Sequence, residues 1–435
     1  MGTIKYKKLH SIDGFFNGKL TFLETKVLNV IKKNKIFSII GKGNSISALP
    51  FDEGSLLVDF KENDQIKLNQ KKSIIKVNGS IAVYKIHNFL LKKNLYFPSF
   101  PSYSYVTAGA CVANCVHGLN PKNGVMKDFV KEIKIYNPNF GFKILSQKKN
   151  SKLFDLTIGG MGLTGIIVSI QLKVLKLKST NLIIEKSLEF NELFDMYKYL
   201  LKNNFFYNQN NIFLDFKKDK VLGRFKSGNL DKEKIKLKFI TPKKIYPIRL
   251  NFFSNNAFKI IFERLVLLKE RSLKNINMHV NDAFYPSNSR LLYFYLMKKK
   301  FIEYQTIIPH KNVEIYLKQL KYITDKHSPL ITLCHLKLFN GKSKYLQFDG
   351  KGLALSVHLT INSEFNNFYK KLIYLNNKHK CKINIYKNSL VKIDDIKKSY
   401  GKNYKKFEKE IKKINNKYII VNRIFNNKNF YKKLL

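Results

Sequence analysis

The sequence predicts an α+β fold in two domains, with a C-terminal segment that returns to the first. Three observations predict it. Residues 1–176 alternate short apolar runs with glycine-rich turns, and residues 177–380 lose that glycine character and alternate strands with amphipathic helices. The last stretch, 381–435, resumes with a short apolar run before turning basic and helical. A chain of 435 residues exceeds one ordinary core, and its 44% apolar content is enough to fill a sizeable interior.

In the first region Ile36–Ile40 reads as a buried strand, followed at once by Gly41-Lys42-Gly43-Asn44-Ser45. Ser55–Phe60 and Ser73–Val77 read as further strands, and Ile81–Lys92 as a helix with Ile81, Tyr84, Leu90 and Leu91 among its apolar positions. Phe97-Pro-Ser-Phe-Pro101 must be extended, because each proline pushes its predecessor out of the helical region. Thr164–Val174 alternates like a strand and closes the region. Beyond it, Ile212–Phe216 reads as a strand. Asn312–Asp325 reads as a helix with Val313, Tyr316, Leu317 and Leu320 on one stripe, and a second helix runs from a Ser363 cap through Leu375. Strands at Tyr304–Ile308, Ile331–Leu338 and Leu353–Leu359 predict an antiparallel sheet carrying helices on one face. Ile383–Tyr386 reads as a last strand, and the composition beyond about residue 425 buries too little to predict order.

Composition excludes several classes. No stretch reaches the roughly 20 apolar residues of a membrane span, and the N-terminus has no apolar run of the secretory kind. The four cysteines (Cys111, Cys115, Cys334, Cys381) lack zinc spacing and are expected to be reduced cytosolic thiols, with no metal site. The formal charge of +50, from 80 basic against 30 acidic residues, has two readings. An anionic partner is one. Compositional drift toward Lys, Asn, Ile, Phe and Tyr is the other, and the spread of the lysines and the scarcity of arginine favour it. We therefore expect no nucleic-acid partner, although a cation-rich surface favours peripheral contact with the inner face of a membrane.

Three small-residue stretches call for a ligand. Gly41–Ser45 follows a strand, where glycines let backbone amides turn toward a phosphate; alone, this pattern is more often a plain tight turn. Thr107-Ala-Gly-Ala-Cys-Val-Ala-Asn-Cys-Val-His-Gly118 is small nearly throughout, so a flat ligand can lie against backbone. Taken singly, His117 reads as a packed histidine bonded to a carbonyl. Thr157-Ile-Gly-Gly-Met-Gly-Leu-Thr-Gly-Ile166 holds four glycines between two apolar runs, an entropic cost that a simple turn does not require. Three such stretches within one region strengthen each other.

Their order, with Leu153-Phe154 ahead of the last, resembles the vanillyl-alcohol-oxidase flavoprotein family. The resemblance reappears at Tyr304-Gln305, Ile308-Pro309-His310, Leu336-Lys337-Leu338-Phe339 and Tyr386-Lys387-Asn388-Ser389, so it spans most of the chain. It implies a two-domain FAD-binding fold of the PCMH type with a separate substrate domain at 177–380. It also implies non-covalent FAD, with Gly41, Lys42, Gly43, Asn44 and Ser45 around the pyrophosphate. Thr107, Gly109, Ala110, Asn114, His117 and Gly118 would line the ribityl chain and the isoalloxazine, and Ile166 the adenosine side. Many relatives attach flavin through a histidine where this chain has Asn44, which excludes attachment there. The implied activity is oxidation of a secondary hydroxyl on a sugar or polyprenyl-phosphate-linked sugar by hydride transfer to flavin N5, with a short-chain reductase completing an epimerisation. Oxidation of an aldonolactone, alditol or free sugar is the alternative. The resemblance makes Lys387 the base or hydroxyl-binding residue and His117 a pocket wall or auxiliary acid/base. Lys337, Gln305 and Ser356 would face the substrate. A buried Lys387 would lose its proton near neutrality, because desolvation disfavours the cation. The family pattern is broken at Leu119, Ser356, Asn384 and Ile46-Ser47-Ala48.

Overall fold

The computed structural model describes residues 35–426 apart from 46, 48, 53–54, 60–61, 215–220, 234, 243–259, 262–263, 266–267, 269–275, 287–300 and 389, and before them three short strands. The first two, β1 (Thr3–Lys7) and β2 (Asp13–Asn17), form an antiparallel hairpin. In the next sheet, β3 (Leu20–Phe22) and β4 (Ile36–Ile39) flank β5 (Leu56–Asp59), all parallel. Parallel strands are covered on both faces, which is why the short apolar runs of β4 and β5 scarcely alternate: Phe37, Leu56, Leu57 and Val58 are all buried.

An antiparallel sheet follows, built from β6 (Ile66–Asn69), β7 (Ile74–Asn78), β9 (Val130–Asn137), β10 (Gly141–Leu145) and β11 (Ile166–Lys173), in the spatial order β10-β9-β11-β7-β6. Between β7 and β9 the chain makes helix α1 (Val83–Leu91), β8 (Leu95–Tyr96) and the short helix α2 (Ala108–Ala113). The Thr107 hydroxyl accepts from the Ala110 N–H and caps α2. Helix α3 (Ser151–Thr157) leads into the third glycine-rich stretch, and β12 (Leu175–Lys176) pairs with β8.

Two antiparallel sheets make up the next part. One has the order β14 (Tyr207–Ile212), β15 (Gly223–Leu230), β13 (Asn181–Phe190), β16 (Ile276–His279). The other has the order β18 (Ile331–Asn340), β19 (Lys351–Thr360), β17 (Phe301–Pro309), β20 (Lys382–Ile383). Its two faces differ. Tyr304, Val357 and Cys334 lie in register on a face covered by α4 (Val313–His327) and α5 (Phe365–Lys378), where Tyr316 Oη donates to Asn376 and Asn376 in turn donates to Tyr304 Oη. Glu303 and Gln305, His358 and Ser356, His335 and Lys337 occupy the opposite face, because side chains alternate along a strand. Helices α6 (Ile393–Tyr400) and α7 (Lys402–Ile414) lead to β21 (Ile419–Ile420), which pairs in parallel with β4 and buries Ile420 against Phe37, Val58 and Ile166.

The α+β class and the antiparallel sheet with helices on one face are as expected. Some boundaries differ. Of the strand expected at Ile212–Phe216 only Ile212 belongs to β14, Phe213 and Leu214 lie past its end, and the last two positions lie outside the described residues. Helix α5 starts at Phe365 after Glu364, with no side-chain cap, so Ser363 does not cap it. The strand expected at Ile383–Tyr386 stops at Ile383, where the Asn384 side chain accepts from the Tyr386 N–H and turns the chain. Residues beyond Asn426, including those expected to lack order, lie outside the described residues. No helix among the described residues is long and apolar enough to cross a membrane.

Candidate active site

The three glycine-rich stretches converge. A Cβ on Gly41 would lie 2.5 Å from Thr107 Oγ1, so the first stretch rests on the second. The N–H groups of Gly159 and Met161 donate to the carbonyls of Val112 and Ala113 at 3.0 and 2.8 Å, so the third is laced to the second. A Cβ on Gly162 would come within 3.9 Å of the Ile39 Cβ, which closes the ring on the strand ahead of the first. Asn44 Nδ2 donates to the Tyr105 carbonyl at 2.7 Å and ties the first stretch to the approach of the second. Residues 41–45 stay only half-buried, so their backbone remains reachable. Side-chain-free backbone from three segments meeting in this way fits an FAD bound along it.

Within this cradle the expected contacts divide. Lys42 turns its ammonium to Glu62 at 2.7 Å, which leaves its backbone alone for a phosphate. Gly109 and Gly118 are required by protein packing: added Cβ atoms would meet the Gly79 carbonyl at 2.9 Å and the Pro98 carbonyl at 2.0 Å. Ala110 and Asn114 stay half-buried along and just past α2. Ile166, expected on the adenosine side, is wholly buried, packed in the core with Phe37, Val58 and Ile420. Cys111 and Cys115 are buried and their thiols pushed up by desolvation, so neither supplies the thiolate a covalent link to flavin requires.

Beside the cradle lies the polar face of the β17–β19 sheet. Lys337 Nζ donates to the Gly118 carbonyl at 3.1 Å, and His117 Nε2 lies 3.3 Å from Gln305 Oε1. Asn384, held by the Tyr386 N–H, donates its amide to the same Gln305 oxygen. Both ring nitrogens of His117 face oxygen acceptors, Nδ1 the Gly118 carbonyl at 3.1 Å and Nε2 the Gln305 oxygen, and a neutral imidazole donates to one of the two. The Gln305 amide nitrogen is buried and has no partner among the described residues, a donor that a ligand acceptor would satisfy.

The charges form one cluster. Glu303 is buried, and its carboxylate takes Lys387 Nζ at 2.7 Å and Ser356 Oγ at 2.8 Å, with His358 Nε2 at 3.7 Å. Burial works to raise the Glu303 carboxyl, but the Lys387 charge and the His358 contact outweigh it and hold it well below the usual carboxylate range. Lys337 has no ion pair among the described residues. Burial, then the nearby Lys387 charge, lower it to about 7 against the opposing pull of Glu303. Burial and the two lysines push His117 down to about 3, so it is a neutral imidazole at physiological pH. Burial, followed by the Lys337 charge, likewise holds His335 well below its ordinary value.

Lys387, expected as the base or hydroxyl-binding residue, is 35% exposed and pairs its ammonium with the Glu303 carboxylate, whereas Lys337 is half-buried with no ion pair among the described residues. Ser356, expected at the substrate, is buried with its hydroxyl committed to Glu303. Gln305 and His117 do meet, beside the cradle; the Ser389 position lies outside the described residues. Sequence reasoning missed Glu303, His335 and His358. Their signal was available: polar residues two apart, at 303 and 305, 335 and 337, 356 and 358, in strands apolar on the alternate face.

Residues 25–139 match the FAD binding domain family, a span that holds the first two glycine-rich stretches and stops short of the third. The chain is also similar to the D-arabinono-1,4-lactone oxidase of Candida glabrata, 26% identical over 37% of this chain and 33% of that protein. It is 24% identical to the L-gulonolactone oxidase of Bos taurus over 33% of this chain and 32% of that one. It is 26% identical to the decaprenylphosphoryl-beta-D-ribose oxidase of Mycolicibacterium smegmatis, over 29% and 28% of the two chains. The chain thus spans about a third of the length of the curated relatives it matches.

Proposed function

We propose that this chain, which carries an FAD binding domain, is an oxidoreductase that removes hydride from the CH–OH carbon of a sugar or polyprenyl-phosphate-linked sugar. Residues 1–176 and 381–435 would hold the flavin, and 177–380 would supply the polar sheet as a substrate domain. The backbone of Gly41–Ser45 would hold the pyrophosphate, with the stretches after Thr107 and Thr157 along the rest of the cofactor. Bound there, FAD supplies a hydride acceptor at N5.

The chain's own residues handle the hydroxyl and its proton. Neutral Lys337 accepts the hydroxyl proton, since a base poised near 7 combines an open lone pair with useful driving force at physiological pH. Lys387, braced by Glu303, donates a hydrogen bond to the same oxygen or its neighbour. Neutral His117 and the Gln305 amide wall the pocket and fix the alcohol's orientation, which supplies much of the rate in a reaction that needs close approach. The single observation behind this reading is Lys337: a lysine with no ion pair among the described residues, bonded to the carbonyl that ends the second glycine-rich stretch.

Aldonolactone oxidation is the second reading, favoured by the names of two of the relatives. Anaerobic mixing of the flavin-loaded protein with free sugars, aldonolactones and lipid-linked sugars decides between them. Bleaching of the oxidised-flavin absorption by lipid-linked sugars is expected; bleaching by lactones alone selects the second reading, and bleaching by none of them rejects both.

A further inference from the structure

Three segments far apart in sequence meet at one residue, Tyr386. The backbone carbonyl of Tyr386 accepts the Ser47 hydroxyl at 2.9 Å and lies 3.5 Å from that of Ser45, both at the first glycine-rich stretch. Its phenol donates to the Gly159 carbonyl at 2.7 Å in the third stretch and sits 2.9 Å from the Leu346 carbonyl, on the connection between β18 and β19. Gly159 has φ of +79°, and an added Cβ would lie 2.9 Å from the phenol oxygen, so the two positions are fitted to each other. The same connection is fastened to the approach of the third stretch: Gln347 donates to the carbonyls of Asp155 and Ile158, and Lys344 pairs with Asp155. The residue after Tyr386 is Lys387, whose ammonium holds Glu303.

We propose that Tyr386 is a positioning residue that couples occupation of the FAD cradle to the placement of Lys387. The inference rests on the cradle described above. A ligand seated in the first and third stretches fixes Ser47 and Gly159; both bonds end on Tyr386, and the peptide that follows carries Lys387. Burial keeps the phenol protonated, so it remains a donor throughout the working pH range.

The test uses the full chain stripped of flavin and titrated with FAD, first by flavin fluorescence. Each protein at its own saturating FAD is then labelled briefly with acetic anhydride, and acetylation of Lys387 is read by mass spectrometry. In the wild type FAD should slow labelling of Lys387 at least about threefold. Tyr386→Phe should weaken FAD binding about tenfold, as expected for one lost buried hydrogen bond, and should abolish the protection even at saturation. Ser47→Ala, which keeps the phenol, should lose part of the protection and covers the case in which Tyr386→Phe does not fold. Full protection of Lys387 in both saturated variants overturns the coupling while leaving the cradle intact. Failure of the wild type to bind FAD overturns the cradle itself.

Discussion

Charge placement on a few side chains sets the chemistry of the pocket. Lys337 and Lys387 are both lysines near one buried carboxylate, yet only Lys387 touches it, and the other is left to burial and like-charge repulsion. Neutral Lys337 grows in population as pH rises through about 7, so kcat/KM should climb across that range and level off above it. Lys337→Met should flatten this limb and cut kcat/KM by about 100-fold or more, with flavin content unchanged, as steady-state kinetics and absorbance can check. Glu303 makes the opposite kind of prediction. Its folded-state carboxyl is depressed, so its contribution to stability is full above the unfolded carboxylate range and is lost as pH falls below about 4. Glu303→Gln should lower stability at neutral pH by about 1–3 kcal/mol, a figure reduced because Lys387 is partly open to water, and should flatten the acid limb of a thermal-melt series.

Turns and strands carry the legible part of the design. Glycine density announced the three stretches because backbone freedom is a local property, and period-two alternation carried an unused signal that His335 shares a face with Lys337. The meaning of each glycine was not local. Gly118 is there because a carbonyl from residue 98 occupies the space of a side chain, whereas Gly41 faces a hydroxyl at the edge of the cradle. Gly41→Ala should therefore leave the protein folded but depleted in FAD, measured as the ratio of flavin to protein absorbance after purification. Gly118→Ala should instead lower the melting temperature through a backbone clash worth about 1–3 kcal/mol. Ile383–Tyr386 reads as strand because its residues are apolar enough; an asparagine side chain bonding two residues ahead ends the strand at Ile383.

At the scale of the whole molecule, the chain closes on itself. β21 completes the parallel sheet whose β4 leads directly into Gly41, and Asn415 reaches back to the Leu163 carbonyl at 2.9 Å. A chain ending at Ile414 should lose both supports and should melt at lower temperature with little bound flavin, although no residue expected to touch FAD is removed. The sequence by itself determined the class of fold, the three flexible stretches and the alternation of polar with apolar strand positions, since each depends on residues within a few places of one another. Only the tertiary structure decided that, of Lys337 and Lys387, Lys387 pairs with Glu303 while Lys337 has no ion pair among the described residues. The carbonyl of Gly118, the carboxylate of Glu303 and the ammonium of Lys387 act on Lys337 through space, and electrostatic interaction depends on distance and burial rather than on order along the chain.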